Sequence, residues 1–274
     1  MDKSEWEGQA GASWAAEWRR TDRSLASVTE KLLARLRGLP MTQALDVGCG
    51  AGELALAIGR GRPDARVIGV DVGPALVAAA RNRAANLPNV AFDLADAAAW
   101  VPPAGFAPQV VISRHGVMFF ADPPAAFAHL ASLADSGAHL LFSCFRAESD
   151  NPFFTEVSRQ LPHPPPPAER DAPGPFGFAR RERIAQVLED GGWEAVAIDA
   201  FDFPMVAGAG QDAVDDAVAY FTSIGPAARA LRELQGPERD ACLARLRRLA
   251  QANCRDNIVS LAAAGWIVSA RKAG

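Results

Sequence analysis

Three carboxylates and a group of glycines stand at spacings that suit a nucleotide-like ligand. Asp46-Val47-Gly48-Cys49-Gly50-Ala51-Gly52 continues the apolar run that begins at Ala44. Glycine has no Cβ, so a turn built on Gly48, Gly50 and Gly52 bends sharply and lets a ligand reach the backbone. A helix begun just after it offers unpaired N–H groups to the same ligand. Asp71 ends the β-rich run Arg66 to Asp71, where a carboxylate accepts hydrogen bonds from ribose hydroxyls. Asp96 follows a third such run and can accept from an exocyclic adenine amine. Singly, each acid has a plainer reading as a turn cap, a strand end or a helix cap. Together, they lie one βαβ step apart, at the carboxyl ends of parallel strands, where open α/β sheets bind ligands.

The elements needed to position these acids are legible as an alternation of short β-rich and helical runs. Strands are expected at 44–47, 66–71, 89–93, 109–113, 138–145, 194–202 and 265–271, with helices from Glu53, Pro74, Asp122 and about residue 180. The strands alternate little, as in a parallel sheet buried on both faces, and right-handed crossovers then give a doubly wound α/β sheet. Residues 1–40 read as an N-terminal helical cap, with Trp14 and Trp18 one turn apart on one face. Residues 41–145 form the ligand-binding core. Residues 146–179, with Asn151-Pro152-Phe153-Phe154 and Pro164 to Pro167, break the rhythm as a proline-rich loop, either a lid or a surface excursion. Residues 180–274 complete the core around a helical insertion at about 211–255.

The segments Leu45 to Gly52, Val67 to Asp71 and Asp96-Ala97-Ala98 resemble the class I S-adenosylmethionine (SAM)-dependent methyltransferases. Ser113-Arg114-His115-Gly116-Val117-Met118 through Asp122-Pro123 is similar to the ubiquinone/menaquinone-biosynthesis-like, "type 11" small-molecule branch. The resemblance is clearest over residues 41–150. It implies a Rossmann-like, seven-stranded sheet with the last strand antiparallel and helical cap insertions. It also implies SAM as cofactor and S-adenosylhomocysteine as product. Gly48 and Gly50 would pack on the methionine part, Asp46 would lie near its amino group, and Ser113 or Arg114 would add backbone there. Asp71 would hold the ribose, Val72 would lie beside the adenine, and Asp96 and Ala97 would meet its edge. A nicotinamide-dependent oxidoreductase is the nearest competitor, but the turn lacks the last glycine of G-x-G-x-x-G. A SAM-binding regulatory protein without catalysis is another reading.

A sulfonium methyl is already activated, so the protein mainly aligns and desolvates the partners. A base is needed only where the nucleophile must lose a proton, and His115 is the candidate, with a packing role as its alternative. Arg114 either binds an anionic substrate or pairs with a local carboxylate. Trp14, Trp18, Met118, Phe119, Phe153, Phe154 and Phe221 are candidates for an apolar substrate chamber, with core packing as the default for each. The expected acceptor is therefore a small, partly apolar molecule methylated at O, C or N.

The bulk properties exclude other classes. A net charge of −4 argues against a nucleic-acid binder. No apolar stretch reaches the length of a membrane span, and the start of the chain has no signal-peptide hydrophobic region. The four cysteines are scattered, without metal-ligand spacing, and fit a reducing cytoplasm; no metal is expected. A monomer or homodimer is expected.

Overall fold

The computed structural model describes residues 3–166 and 169–273. Met1, Asp2, Pro167, Ala168 and Gly274, which fall in the cap, proline-rich and C-terminal segments, lie outside the described residues. Four helices open the chain: α1 (Lys3–Glu7), α2 (Gln9–Ala16), α3 (Trp18–Ser24) and α4 (Ala26–Leu36). The alternating core follows as β1 (Gln43–Val47), α5 (Glu53–Gly61), β2 (Arg66–Asp71), α6 (Pro74–Arg83), β3 (Val90–Leu94), β4 (Val110–Arg114), α7 (Pro123–Leu133) and β5 (His139–Phe145). Next come α8 (Pro152–Ser158), α9 (Arg181–Asp190) and β6 (Trp193–Ala209). The chain ends with α10 (Ala213–Ser223), α11 (Pro226–Glu233), α12 (Gly236–Ala252), β7 (Cys254–Arg255) and β8 (Ile258–Lys272).

The main sheet runs β3-β2-β1-β4-β5-β8-β6, with β7 paired to β8 as a two-residue eighth strand. β1 to β5 pair in parallel, and β8 is antiparallel to both of its neighbours. β1 and β4 are buried along nearly their whole length, which explains their continuous apolar sequence. The chain leaves β1 for β2 on one side and later returns to β4 on the other. That reversal puts the glycine turn at the switch point beyond the end of β1, the place where open α/β sheets bind ligands. Asp122 caps α7 by accepting from the Ala125 N–H (3.2 Å), with Pro123 in the first turn, as its sequence signals.

Two strands extend beyond their expected bounds. β6 continues through Pro204, which is tolerated because β6 is the outer strand of the sheet and need not donate on its free side. β8 begins seven residues before Gly265, in an Ala- and Ser-rich stretch of weak strand propensity, because β6 provides its ladder. Trp14 and Trp18 do not share one helical face. The helix is interrupted at Glu17, so Trp14 packs on Trp6 while Trp18 lies against Arg83. The segment after β5 contains α8 inside its proline-rich sequence.

Candidate active site

The glycine turn is built as its residue types require. Gly48, Gly50 and Gly52 all have positive φ, between 55° and 88°. Gly48 and Cys49 donate to the Val70 carbonyl (2.9 and 3.1 Å), which ties the turn to β2. A Cβ on Gly48 would stand 2.9 Å from Gly116 Cα, whereas one on Gly50 would meet open space. The turn is therefore braced on one flank and open on the other.

Asp71 is buried, and its carboxylate accepts from the Gly50 and Gly73 N–H groups, both at 2.8 Å. Its remaining acceptor capacity suits a ribose hydroxyl. Burial raises its pKa, against the pull of those N–H groups. Asp46 is 1% exposed and accepts from the Ala55 N–H (3.1 Å) in α5. Burial pushes its pKa to about 7; the Ala55 N–H and the Arg114 charge oppose this, and Asp71 adds to it. A buried carboxylate held this weakly is chemically suited to a cation such as an α-ammonium. The turn, the diol acceptor and the buried acid thus fit SAM. Asp96 turns one oxygen onto the Ala98 N–H (3.0 Å), Ala97 is buried and Val72 half-buried beside Asp71. Ser113 is fully buried, and its hydroxyl accepts from the Gly116 N–H (3.2 Å), bracing the loop after β4.

His115 has φ of +59°, rare for a non-glycine residue. Its N–H donates to the Ser143 carbonyl (3.1 Å) and its Nδ1 pairs with the Ser143 hydroxyl (2.8 Å). Its Nε2 is buried without a hydrogen-bond partner. The ring lies 4.2 Å from Phe145 and 6.4 Å from Phe203, and Phe154 and Phe176 extend the cluster from Phe145 at 5.1 and 6.1 Å. Burial, followed by the neighbouring Arg114 charge, lowers its pKa to about 3. The imidazole is therefore neutral at pH 7, the form a base must have, and its lowered pKa makes it a weak one. Phe153 packs on Phe154 and on Tyr220 and Phe221 of α10. Met118 is buried, and its carbonyl accepts from the Gly174 N–H (3.1 Å).

The N-terminal helices lie against the turn. Asp22 of α3 bridges Arg83 and Arg114 at 2.9 Å each. Arg83 also donates to the Ala51 carbonyl and to Glu53 (both 2.7 Å) and lies 3.8 Å from the Trp18 ring. Arg114 donates to Thr29 of α4 (2.8 Å). Of the two readings of Arg114, the structure shows pairing with a local carboxylate. Trp6 packs edge-on against Phe119 at 5.1 Å, and its carbonyl would lie 3.3 Å from a Cβ on Gly73. Asp22, Glu53, Arg83, Ser143 and Phe145 were not singled out by the sequence. Ser143 and Phe145 had the signal of standing at the end of β5; Asp22 had none, because its partners come from distant elements.

An open sheet with this strand order, a glycine turn at its point of reversal and an acid ending the next strand define the class I SAM-dependent methyltransferase fold. The chain belongs to the Methyltransferase domain family, whose model matches residues 17–199, about two thirds of its length. It is similar to trans-aconitate 2-methyltransferase of Methylobacterium radiotolerans, 37% identical over 110 residues, 40% of each chain. It is also similar to malonyl-[acyl-carrier protein] O-methyltransferase 1 of Ilyobacter polytropus, 30% identical over 101 residues, 37% of each chain. The aligned part spans about two fifths of the length of these relatives. The structure superposes on the YcgJ protein of Bacillus subtilis with a TM-score of 0.58 at 16% identity, over 91% of this chain and 99% of that one. This is a likeness of fold. Among the described residues, no helix is long and apolar enough to cross a membrane, and no cluster of His, Cys, Asp and Glu suits a metal.

Proposed function

We propose that the protein methylates a carboxylate of a small, partly apolar molecule. The observation that carries this reading is the neutral, buried His115, whose unpartnered Nε2 lies among Phe145, Phe203 and their neighbours. SAM supplies a methyl already activated on a sulfonium. A group with a pKa of about 3 is a poor base at pH 7, so the acceptor must arrive with its lone pair free. A carboxylate does so. If the Ser143 hydroxyl donates to Nδ1, the ring proton sits on Nε2, from which it can donate to one carboxylate oxygen. The aromatic walls desolvate that oxygen and receive the apolar part of the acceptor. Both relatives are named for acceptors that carry carboxylates, trans-aconitate and a malonyl group. On this reading the partner is a small molecule and not nucleic acid, and the protein works in the cytoplasm as a monomer or homodimer.

The test is methyl transfer from labelled SAM to a panel of small carboxylic acids, phenols and amines across pH 6 to 8. Base-labile methyl esters are expected, with kcat at saturating cofactor flat over that range. His115→Ala should lower kcat/KM for the acceptor about 10- to 100-fold, the worth of a hydrogen bond to a charged group. Its S-adenosylhomocysteine affinity should stay within about twofold of the parent. Labelling of phenols or amines alone, or an acid limb near pH 6.5 that vanishes in His115→Ala, would sink the reading.

A further inference from the structure

We infer that Asp22 is an internal stand-in for the cofactor's methionine carboxylate, and that Arg114 exchanges one for the other on loading. The inference rests on the glycine turn being the cofactor site. Two guanidinium groups, Arg83 and Arg114, flank that turn, with side chains only 12–13% exposed. Two carboxylates, Asp22 and Glu53, already neutralise them. The methionine end of the cofactor is a zwitterion, an ammonium beside a carboxylate. Asp46, buried and accepting a single N–H, is the natural partner for the ammonium. The carboxylate then needs a cation close to Asp46. Arg114 qualifies, because it ends β4, directly beside β1, and its charge is felt at Asp46.

The two arginines are not equally free to change partners. Arg83 is held by the Asp22 and Glu53 carboxylates and by the Ala51 carbonyl, and it lies on the Trp18 ring. Arg114 is held by Asp22 and the Thr29 hydroxyl. Releasing Asp22 leaves Arg83 with one carboxylate and leaves Arg114 with none, so Arg114 gains most from a new one. Asp22 belongs to α3, whose neighbours α1 and α2 reach over the Gly73 side of the same site. The exchange therefore couples the cofactor's carboxylate to the hold of the N-terminal helices on the turn. Asp22 is a positioning residue here, and Arg114 a cofactor-binding one.

Calorimetry with two nucleosides separates this role from a merely structural latch. S-adenosylhomocysteine carries the amino acid end; 5′-methylthioadenosine lacks it. Asp22→Asn keeps the size of the side chain but no longer competes as an anion. It should tighten S-adenosylhomocysteine binding at least fivefold and change methylthioadenosine binding less than twofold. Arg114→Gln, which removes the charge, should weaken S-adenosylhomocysteine at least tenfold and leave methylthioadenosine within twofold. It also serves if Asp22→Asn fails to fold. Equal effects on both nucleosides, or none on either, would overturn the exchange while leaving the cofactor site in place. Failure of the unaltered protein to bind either nucleoside would overturn the cofactor site, and this inference with it.

Discussion

Asp46 shows how much of a residue's chemistry is set by its surroundings. In solution its carboxylate would be fully ionised at pH 7. Beneath the turn, burial holds its pKa near 7 despite the Ala55 N–H and the Arg114 charge. A cationic ammonium placed beside it favours the charged form, so ligand binding must release a proton wherever the free protein still holds one. At pH 7, binding of S-adenosylhomocysteine should release about half a proton, and its affinity should fall by up to tenfold per unit below pH 7. Calorimetry in buffers of different ionisation enthalpy measures the release. Asp46→Asn should abolish it and weaken binding, and a heat independent of buffer in the parent protein would refute the placement. The identity and place of Asp46, Asp71 and Asp96 were legible in the sequence because they mark strand ends. The ionisation of Asp46 and His115 was not, because in both it is set first by burial, which depends on packing from elements distant in the chain.

Elements were legible where their periodicity was undisturbed, as in β1 to β5 and α5 to α7. They were not where tertiary pairing overrides local preference. β6 runs through Pro204 because it lies at a sheet edge, and α8 forms in a segment whose prolines read as loop. Pro152 sits in the first turn of α8, where its missing N–H costs nothing. Asn151 anchors that helix. It is fully buried, its Nδ2 donates to the Ala147 carbonyl and its Oδ1 accepts from the Ala264 N–H of β8, each at 2.9 Å. Asn151→Ala leaves the buried Ala264 N–H unpaired, at about 1–3 kcal/mol, while the Ala147 carbonyl keeps the Asp150 N–H. A loss of roughly 1–3 kcal/mol in urea unfolding is expected. The KM for the acceptor should also rise, because α8 carries Phe154 against Phe145. Asn151→Asp restores the acceptor alone and should recover part of the loss. A stability change under about 0.5 kcal/mol in Asn151→Ala would show that α8 is not held from this point.

At the scale of the whole molecule, Asp46 and His115 act on stability in opposite directions. The folded-state pKa of Asp46 is raised to about 7, so the native state takes up a proton before the unfolded chain does, and its contribution grows as pH falls through 7. The folded-state pKa of His115 is lowered to about 3, so the unfolded chain is protonated first. Its contribution is complete above the ordinary histidine range and is lost as pH falls through 6.5. One unit of pKa difference corresponds to roughly 1.4 kcal/mol, so each term changes by roughly 2 kcal/mol between pH 7.5 and 5, and the two nearly cancel. The opposite shifts thus leave the fold almost indifferent to pH through this pair. Single substitutions should expose the hidden slopes. Between pH 7.5 and 5, Asp46→Asn should lose roughly 2 kcal/mol more than the parent, and His115→Gln should gain roughly 2 kcal/mol relative to it. Urea unfolding of all three proteins at both pH values gives these differences, and contributions from other acids drop out because each variant retains them. Parallel stability–pH curves for the three proteins would show that neither group titrates abnormally, and would give His115 the strength of an ordinary imidazole base.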